Sequence, residues 1–286
     1  MSAKSQDKAA TAIMWLAGII ILGILIVFLG YMLYKGLPVL TWDFITGKPS
    51  DIYAGGGVGP QLFNSFYILG LCMLFSIPVA VGAGIYLAEY AANTRLTDMI
   101  RLSTESLATV PSIVLGLFGM IIFVNMLGMG FSIIGGALTL MLLNLPILVR
   151  VTEESIRTVP AHYREASLAL GATKWQTIWR VVLPNALPGI ITGITLSAGR
   201  TLGETAILIF TAGTTVSRIL PDFNVTAAGE TLAVHMWYVM AVGLVPDRVA
   251  IADGTGALLI ITILIFNLMF TLPSKYIQRK ANGGGH

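Results

Sequence analysis

Residues 13–33 read IMWLAGIIILGILIVFLGYML, without one charged side chain. A helix rises about 1.5 Å per residue, so roughly 20 apolar residues cross the ~30 Å hydrocarbon layer of a bilayer. This stretch has that length. It is too long for the apolar core of a signal peptide, and is expected to be a retained membrane helix. Phe66–Ala88, Leu107–Leu127, Pro188–Phe210 and Ile251–Leu272 meet the same test. Phe131–Val149 is shorter and holds Asn144 and Pro146, but is otherwise apolar and counts as a sixth span. Leu232–Val245, with His235 inside it, is too short to cross. It is expected as a short helix dipping into, or lying along, the outer surface.

The composition agrees with a lipid environment. Of 286 residues 56% are hydrophobic and only 11% are charged, with a mean hydropathy of +0.83. Soluble proteins carry about one quarter charged residues, and so few charges could not clothe a soluble surface. The 31 glycines suit close helix contacts in a bilayer. The single cysteine, Cys72, lies in an apolar run, can form no internal disulfide and reads as a buried small hydrophobe.

The net charge of +3 is explained by its distribution. With six spans and an inside N-terminus, the cytoplasmic cations are Lys4, Lys8, Arg95, Arg101, Arg150, Arg157, Arg164, Lys174, Arg180, Lys275, Arg279 and Lys280. The outer loops carry Lys35, Lys48, Arg218 and Arg248. Twelve against four is a positive-inside bias, so the basic balance is a topology signal and no nucleic-acid partner is implied. The expected fold is all-α and polytopic, with six transmembrane helices and both termini cytoplasmic. Its expected parts are a cytoplasmic tail (1–11), a transmembrane domain (12–280) containing a cytoplasmic loop (150–187), and a disordered tail (281–286) that includes Gly283–His286. In the first outer loop, Gly55-Gly56-Gly57 reads as a flexible loop in preference to an anion nest.

Within the 150–187 loop, Pro160 suits the first turn of a helix to Leu170, and Gly171 can end it in the left-handed conformation. Thr173 with Gln176 forms a capping-box pair for a second helix that is expected to end before Pro184. Helices of about ten residues are marginal alone, so this elbow is expected to dock. Ala161, Tyr163, Ala166, Leu168, Ala169 and Leu170 offer apolar surface either to a partner or to the chain's own bundle. The series Glu165-Ala166-Ser167, Gly171 and Leu183-Pro184 resembles the coupling loop of permease subunits of bacterial ABC importers, with Ser167 where that family usually has alanine. The resemblance implies that Glu165, Ala166, Ser167 and Gly171 meet a cytoplasmic ATPase. No G-x-x-x-x-G-K-[ST] phosphate loop occurs in the chain. It is therefore expected to be a transporter subunit with no catalytic residues, ATP hydrolysis residing on a partner.

Arg200 and Glu204 lie four residues apart inside an expected span, where one helix face would hold both. An arginine at the bilayer centre costs about 2.5–3.5 kcal/mol on insertion scales. Two readings stay open: an ion pair locking helices, or a translocation path in which Arg200 binds an anion, helped by Glu204, Thr201 and Thr205. The guanidinium fork suits carboxylate or phosphate. His162, His235 and His286 have no neighbouring ligand cluster in the sequence, so neither a metal nor a cofactor is expected. Glu89 and Glu105 are expected at helix ends, with Glu89 free to pair with Arg95 or Arg101.

Three further segments sharpen the resemblance. Gly199–Ala206 with Leu208–Gly213, Ile85–Ala91, and Val110–Gly119 together resemble the A-type permease subunit of the bacterial phosphate ABC importer. The likeness runs from about Asn64 to Lys275. It implies the type I importer permease fold in the inner membrane and a cargo of inorganic phosphate. It also implies a second homologous permease, two ATPase copies and an extracytoplasmic phosphate-binding protein. A permease for sulfate or molybdate, or a membrane scaffold or sensor subunit, are the alternatives.

Overall fold

The computed structural model describes residues 3–50, 52–92, 94–216 and 221–281. Arg218 and residues 282–286 lie outside them, as do the side chains of Lys275, Arg279 and Lys280. Among the described residues all regular structure is helical: α1 (Ala3–Gly36), α2 (Trp42–Thr46), α3 (Gly59–Ile85), α4 (Arg95–Ala108), α5 (Ser112–Gly119), α6 (Ile133–Arg157), α7 (Ala161–Ala169), α8 (Lys174–Thr177), α9 (Leu183–Leu202), α10 (Ala206–Thr211), α11 (Leu232–Ala241) and α12 (Arg248–Ala281). Three π-helical turns, Tyr86–Tyr90, Met120–Met126 and Ile178–Val182, continue α3 and α5 and join α8 to α9. Among the described residues five continuous helices are long and apolar enough to cross a membrane: Ala10–Val39, Gly59–Tyr90, Ile133–Arg157, Lys174–Leu202 and Arg248–Pro273. A sixth span exists if Arg95–Ala108 and Ser112–Met126 are taken as one, bent by 98°.

That bend corrects the expected span Leu107–Leu127. Leu107 and Ala108 belong to α4, a helix with Arg95, Asp98, Arg101, Thr104 and Glu105 along it. The chain turns at Thr109–Pro111 because proline has no N–H and drives the residue before it out of the helical region. The expected span Pro188–Phe210 is also redrawn. Its helix already begins at Lys174, runs through the π-turn and Pro184, and stops at Leu202. A π-turn bonds each N–H five residues back. It therefore carries the helix past Pro184 where an early end was expected.

The main core lies where α3 runs along α6, with Ile68, Cys72, Leu140, Leu143, Ile207 and Leu208 buried between α3, α6 and α10. Small residues make the approach possible. A Cβ on Gly119 would overlap Thr139, and one on Gly193 would overlap Val151. A second cluster, with Phe44, Val58, Leu232, Val239 and Leu258, fills the end of the bundle at α2 and α11. A third, with Ile85, Ile156, Ile178, Val182 and Ile190, fills the opposite end, where α7 and α8 sit. α11 is a ten-residue helix, as short as expected, and it packs against α12 and α3 with Leu232–His235 buried.

The glycine-rich loop is pinned, contrary to the expectation of a flexible loop. Gly55, at φ +90°, donates its N–H to Asp247 Oδ2 at 2.9 Å. Gly57 bonds Lys48 O at 2.8 Å, and Gly59 bonds Gly47 O at 2.9 Å. α1 stands apart: its side chains from Ala10 to Tyr31 are exposed. It meets α12 near Gly36, where a Cβ would overlap Asp253 O and Ala257.

Candidate functional site

The expected elbow forms at one end of the bundle. α7 closes on Gly171 at φ +82°, a conformation that costs an L side chain roughly 1–2 kcal/mol. Thr173 opens α8 through the full capping box, accepting from Gln176 N at 3.3 Å while Gln176 Oε1 accepts from Thr173 N at 2.9 Å. Glu165, Ala166 and Gly171 are exposed. Around them Tyr163, Leu168, Leu170 and Trp175 are exposed too, Leu170 by 90%. Exposed apolar side chains grouped on so short a stretch are available for contact with a partner. Ser167 is half-buried, and its hydroxyl meets that of Thr177 at 2.9 Å, joining α7 to the end of α8. An alanine there would lack this bond.

Charged groups tie the elbow to the spans. Arg164 on α7 donates from Nε to Glu89 Oε1 at 2.8 Å, with Nη2 2.7 Å from the same oxygen. It also donates to Val159 O at 2.6 Å and Ile156 O at 2.8 Å, carbonyls around the end of α6. Lys174 on α8 donates to the backbone oxygen of Glu89 and lies 4.5 Å from the centre of the Tyr90 ring. The expected partners of Glu89, Arg95 and Arg101, are thus replaced by Arg164. Arg101 pairs with Glu153 at 3.0 Å, and Arg157 meets the same carboxylate at 2.9 Å. Arg150 bridges Glu105 and Glu154. These pairs line a cleft of about 740 Å³ between α4 and α6.

The expected helix face joining Arg200 to Glu204 does not form. α9 ends at Leu202, and Gly203–Thr205 break the chain before α10. Arg200 is exposed in the last turn of α9, where a cation is favoured by the carbonyl end of the helix dipole. Glu204 lies beyond the break, and its Oε1 accepts from Ile207 N at 3.4 Å at the start of α10. Thr201 is buried, and Thr205 Oγ1 donates to Gly203 O at 3.4 Å.

Two buried polar networks were not read from sequence. In the first, Asn144 Nδ2 donates to Thr201 Oγ1 at 2.8 Å and Cys72 Sγ at 3.3 Å. Its Oδ1 accepts from Ser197 at 2.7 Å, so one amide joins α3, α6 and α9. In the second, Gln61 Nε2 donates to Glu230 Oε2 at 2.8 Å, and His235 Nδ1 lies 3.0 Å from the same oxygen. Asn64 donates to Glu230 O at 3.1 Å. His235 therefore has one carboxylate neighbour. Among the described residues no three His, Cys, Asp or Glu side chains gather as a metal site would need. The only sequence signal for either network is a polar residue interrupting an apolar run.

Residues 80–283 match the family described as binding-protein-dependent transport system inner membrane component. The chain belongs to this family. It is a membrane permease subunit of an ABC-type importer, a bacterial multi-pass protein that transports and is not an enzyme. The permease is similar to the probable ABC transporter permease protein YqgI of Bacillus subtilis (strain 168), at 49% identity over 98% of this chain and 99% of that protein. The phosphate transport system permease protein PstA of Haemophilus influenzae is 37% identical over 73% of this chain and 74% of that one. Among solved structures, a membrane chain of a bacterial alginate ABC transporter superposes with a TM-score of 0.70 at 14% identity, covering 96% of each chain. One of the MetNI methionine ABC transporter gives 0.60 at 19%, covering 77% of this permease and 94% of that chain. The fold is that of the type I importer permeases, as expected.

Proposed function

We propose that this permease imports inorganic phosphate across the bacterial inner membrane, with both termini cytoplasmic. The observation that carries the reading is Arg200: it is exposed at the end of a membrane-spanning helix and forms no ion pair with Glu204. A guanidinium facing bare lipid is costly, so such a side chain faces a water-filled path or a partner subunit. Its planar donors suit a tetrahedral oxyanion. Glu204 and Thr205, at the break after α9, stand beside the path. Thr201 holds the Arg200 turn from behind through Asn144. The phosphate permeases among the relatives support the same cargo.

In this reading the path is shared with a second homologous permease, and a phosphate-binding protein delivers the ion from outside. Two ATPase copies receive the elbow at Glu165, Ala166, Ser167 and Gly171, and the residues act by changing conformation. Uptake of radiolabelled phosphate, in cells lacking their own importers and supplied with the complete transporter, tests it. Arg200→Gln at matched membrane abundance is expected to lower uptake at least tenfold, the loss of roughly 1.4 kcal/mol of binding along the path, while excess sulfate or molybdate does not compete. Normal uptake by Arg200→Gln would remove that residue from the path. Uptake of sulfate or molybdate in place of phosphate would overturn the cargo.

A further inference from the structure

The elbow directly follows α6 and directly precedes α9 in the chain, but α3 adjoins neither of its limbs in sequence. Both limbs nevertheless grip the π-turn that ends α3, at one residue. Arg164, from α7, takes the Glu89 carboxylate, and Lys174, from α8 beyond Gly171, takes the Glu89 backbone oxygen and covers the Tyr90 ring. The pair is well shielded, with the Glu89 side chain 10% exposed and Arg164 23%. Arg164 also donates to Ile156 O and Val159 O. One guanidinium therefore fastens the end of α6 and the end of α3 to the same turn of α7. A buried or half-buried ion pair adds little net stability over an apolar contact, but it fixes one arrangement and penalises others.

We propose that Glu89 and Arg164 form a transmission latch that makes the elbow and α3 move as one body. Movement imposed on the elbow then reaches α3 directly, along with α6 and α9. Both are positioning residues: neither needs to touch the cargo or the ATPase surface. The proposal rests on the reading that the elbow receives the ATPase.

The test uses the complete transporter in lipid nanodiscs and proteoliposomes. Glu89→Gln, Arg164→Gln and the exchange Glu89→Arg with Arg164→Glu are compared with wild type. Spin labels go on cysteines replacing Val79 on α3 and Leu187 on α9, both exposed. In wild type the label separation is expected to stay the same between the ATP-free and vanadate-trapped states. In each single variant the ATPase still co-purifies, but the separation shifts on trapping. Phosphate moved per ATP falls by about 5- to 150-fold, the span of ordinary coupling energies. The exchange variant is expected to recover part of that ratio.

Single variants with wild-type separation and wild-type yield per ATP would overturn the latch. Single variants that lose the ATPase altogether would also overturn it, leaving Glu89–Arg164 as a brace of the elbow's fold. The label arm needs no cargo, so it decides the latch independently of the phosphate assignment. Glu165→Trp separates the two readings. If that variant keeps both ATPase and uptake, the elbow is not the coupler and both fall. If it releases the ATPase while the single variants keep full yield, the latch alone falls.

Discussion

Arg200 and Asn144 show how a polar side chain is kept in an apolar setting by two different means. Arg200 keeps its charge at a helix end and remains open. Asn144 is fully buried and satisfied by Thr201, Ser197 and Cys72. Asn144→Leu is expected to lower stability by about 1 kcal/mol, the usual scale for interhelical hydrogen bonds in membranes, read as a lower thermal midpoint in detergent. The loss stays small because Thr201 Oγ1 still donates to Ser197 O at 2.9 Å. Arg200 and Glu204 stand out in the sequence as charges in an apolar run, but the shared helix face expected of them does not form. Four-residue spacing implies a shared face only if the helix continues. Gly203 followed by Glu204 and Thr205 carries the opposite signal, a stop and then a new start. The Gln61–Glu230–His235 network was beyond such reading, because Gln61 and Glu230 are 169 positions apart in the chain.

The elbow was the most legible element, since its determinants are local. A glycine at positive φ, a capping box and a proline before α7 need no distant partner to act. Gly171→Ala would place a side chain in that left-handed turn, and is expected to destabilise the elbow by about 1 kcal/mol. The measurement is faster hydrogen exchange over residues 161–177 and weaker retention of the ATPase. Ser167→Ala removes only the hydroxyl bond to Thr177 and is expected to give a smaller change of the same sign. The spans were legible as apolar mass and much less so at their ends. A hydropathy window passes straight through Pro111, because Leu107 and Val114 are both apolar. The right-angle turn between them depends on a missing N–H and not on composition.

For the molecule as a whole, the positive-inside count gives a topology that can be probed directly. Cysteines replacing Leu168 and Tyr53, both exposed, are expected to react with an impermeant maleimide from opposite sides: Leu168→Cys only from the cytoplasm, Tyr53→Cys only from outside. Cys72 is fully buried and adds no background. Labelling of both positions from one side would refute the arrangement of spans. The placement of α1 bears on how the protein is made. From Ala10 to Tyr31 its apolar side chains are not shared with the core, and its close contact is with α12, at the far end of the described residues. During synthesis, where N-terminal parts emerge first, α1 can enter lipid while the rest of the protein is still on the ribosome. Lys4 and Lys8 then bias which way it points. The seat for α12 beside Gly36 stays open until α12 itself has emerged, so two helices far apart in the sequence are joined only after the helices between them have been made.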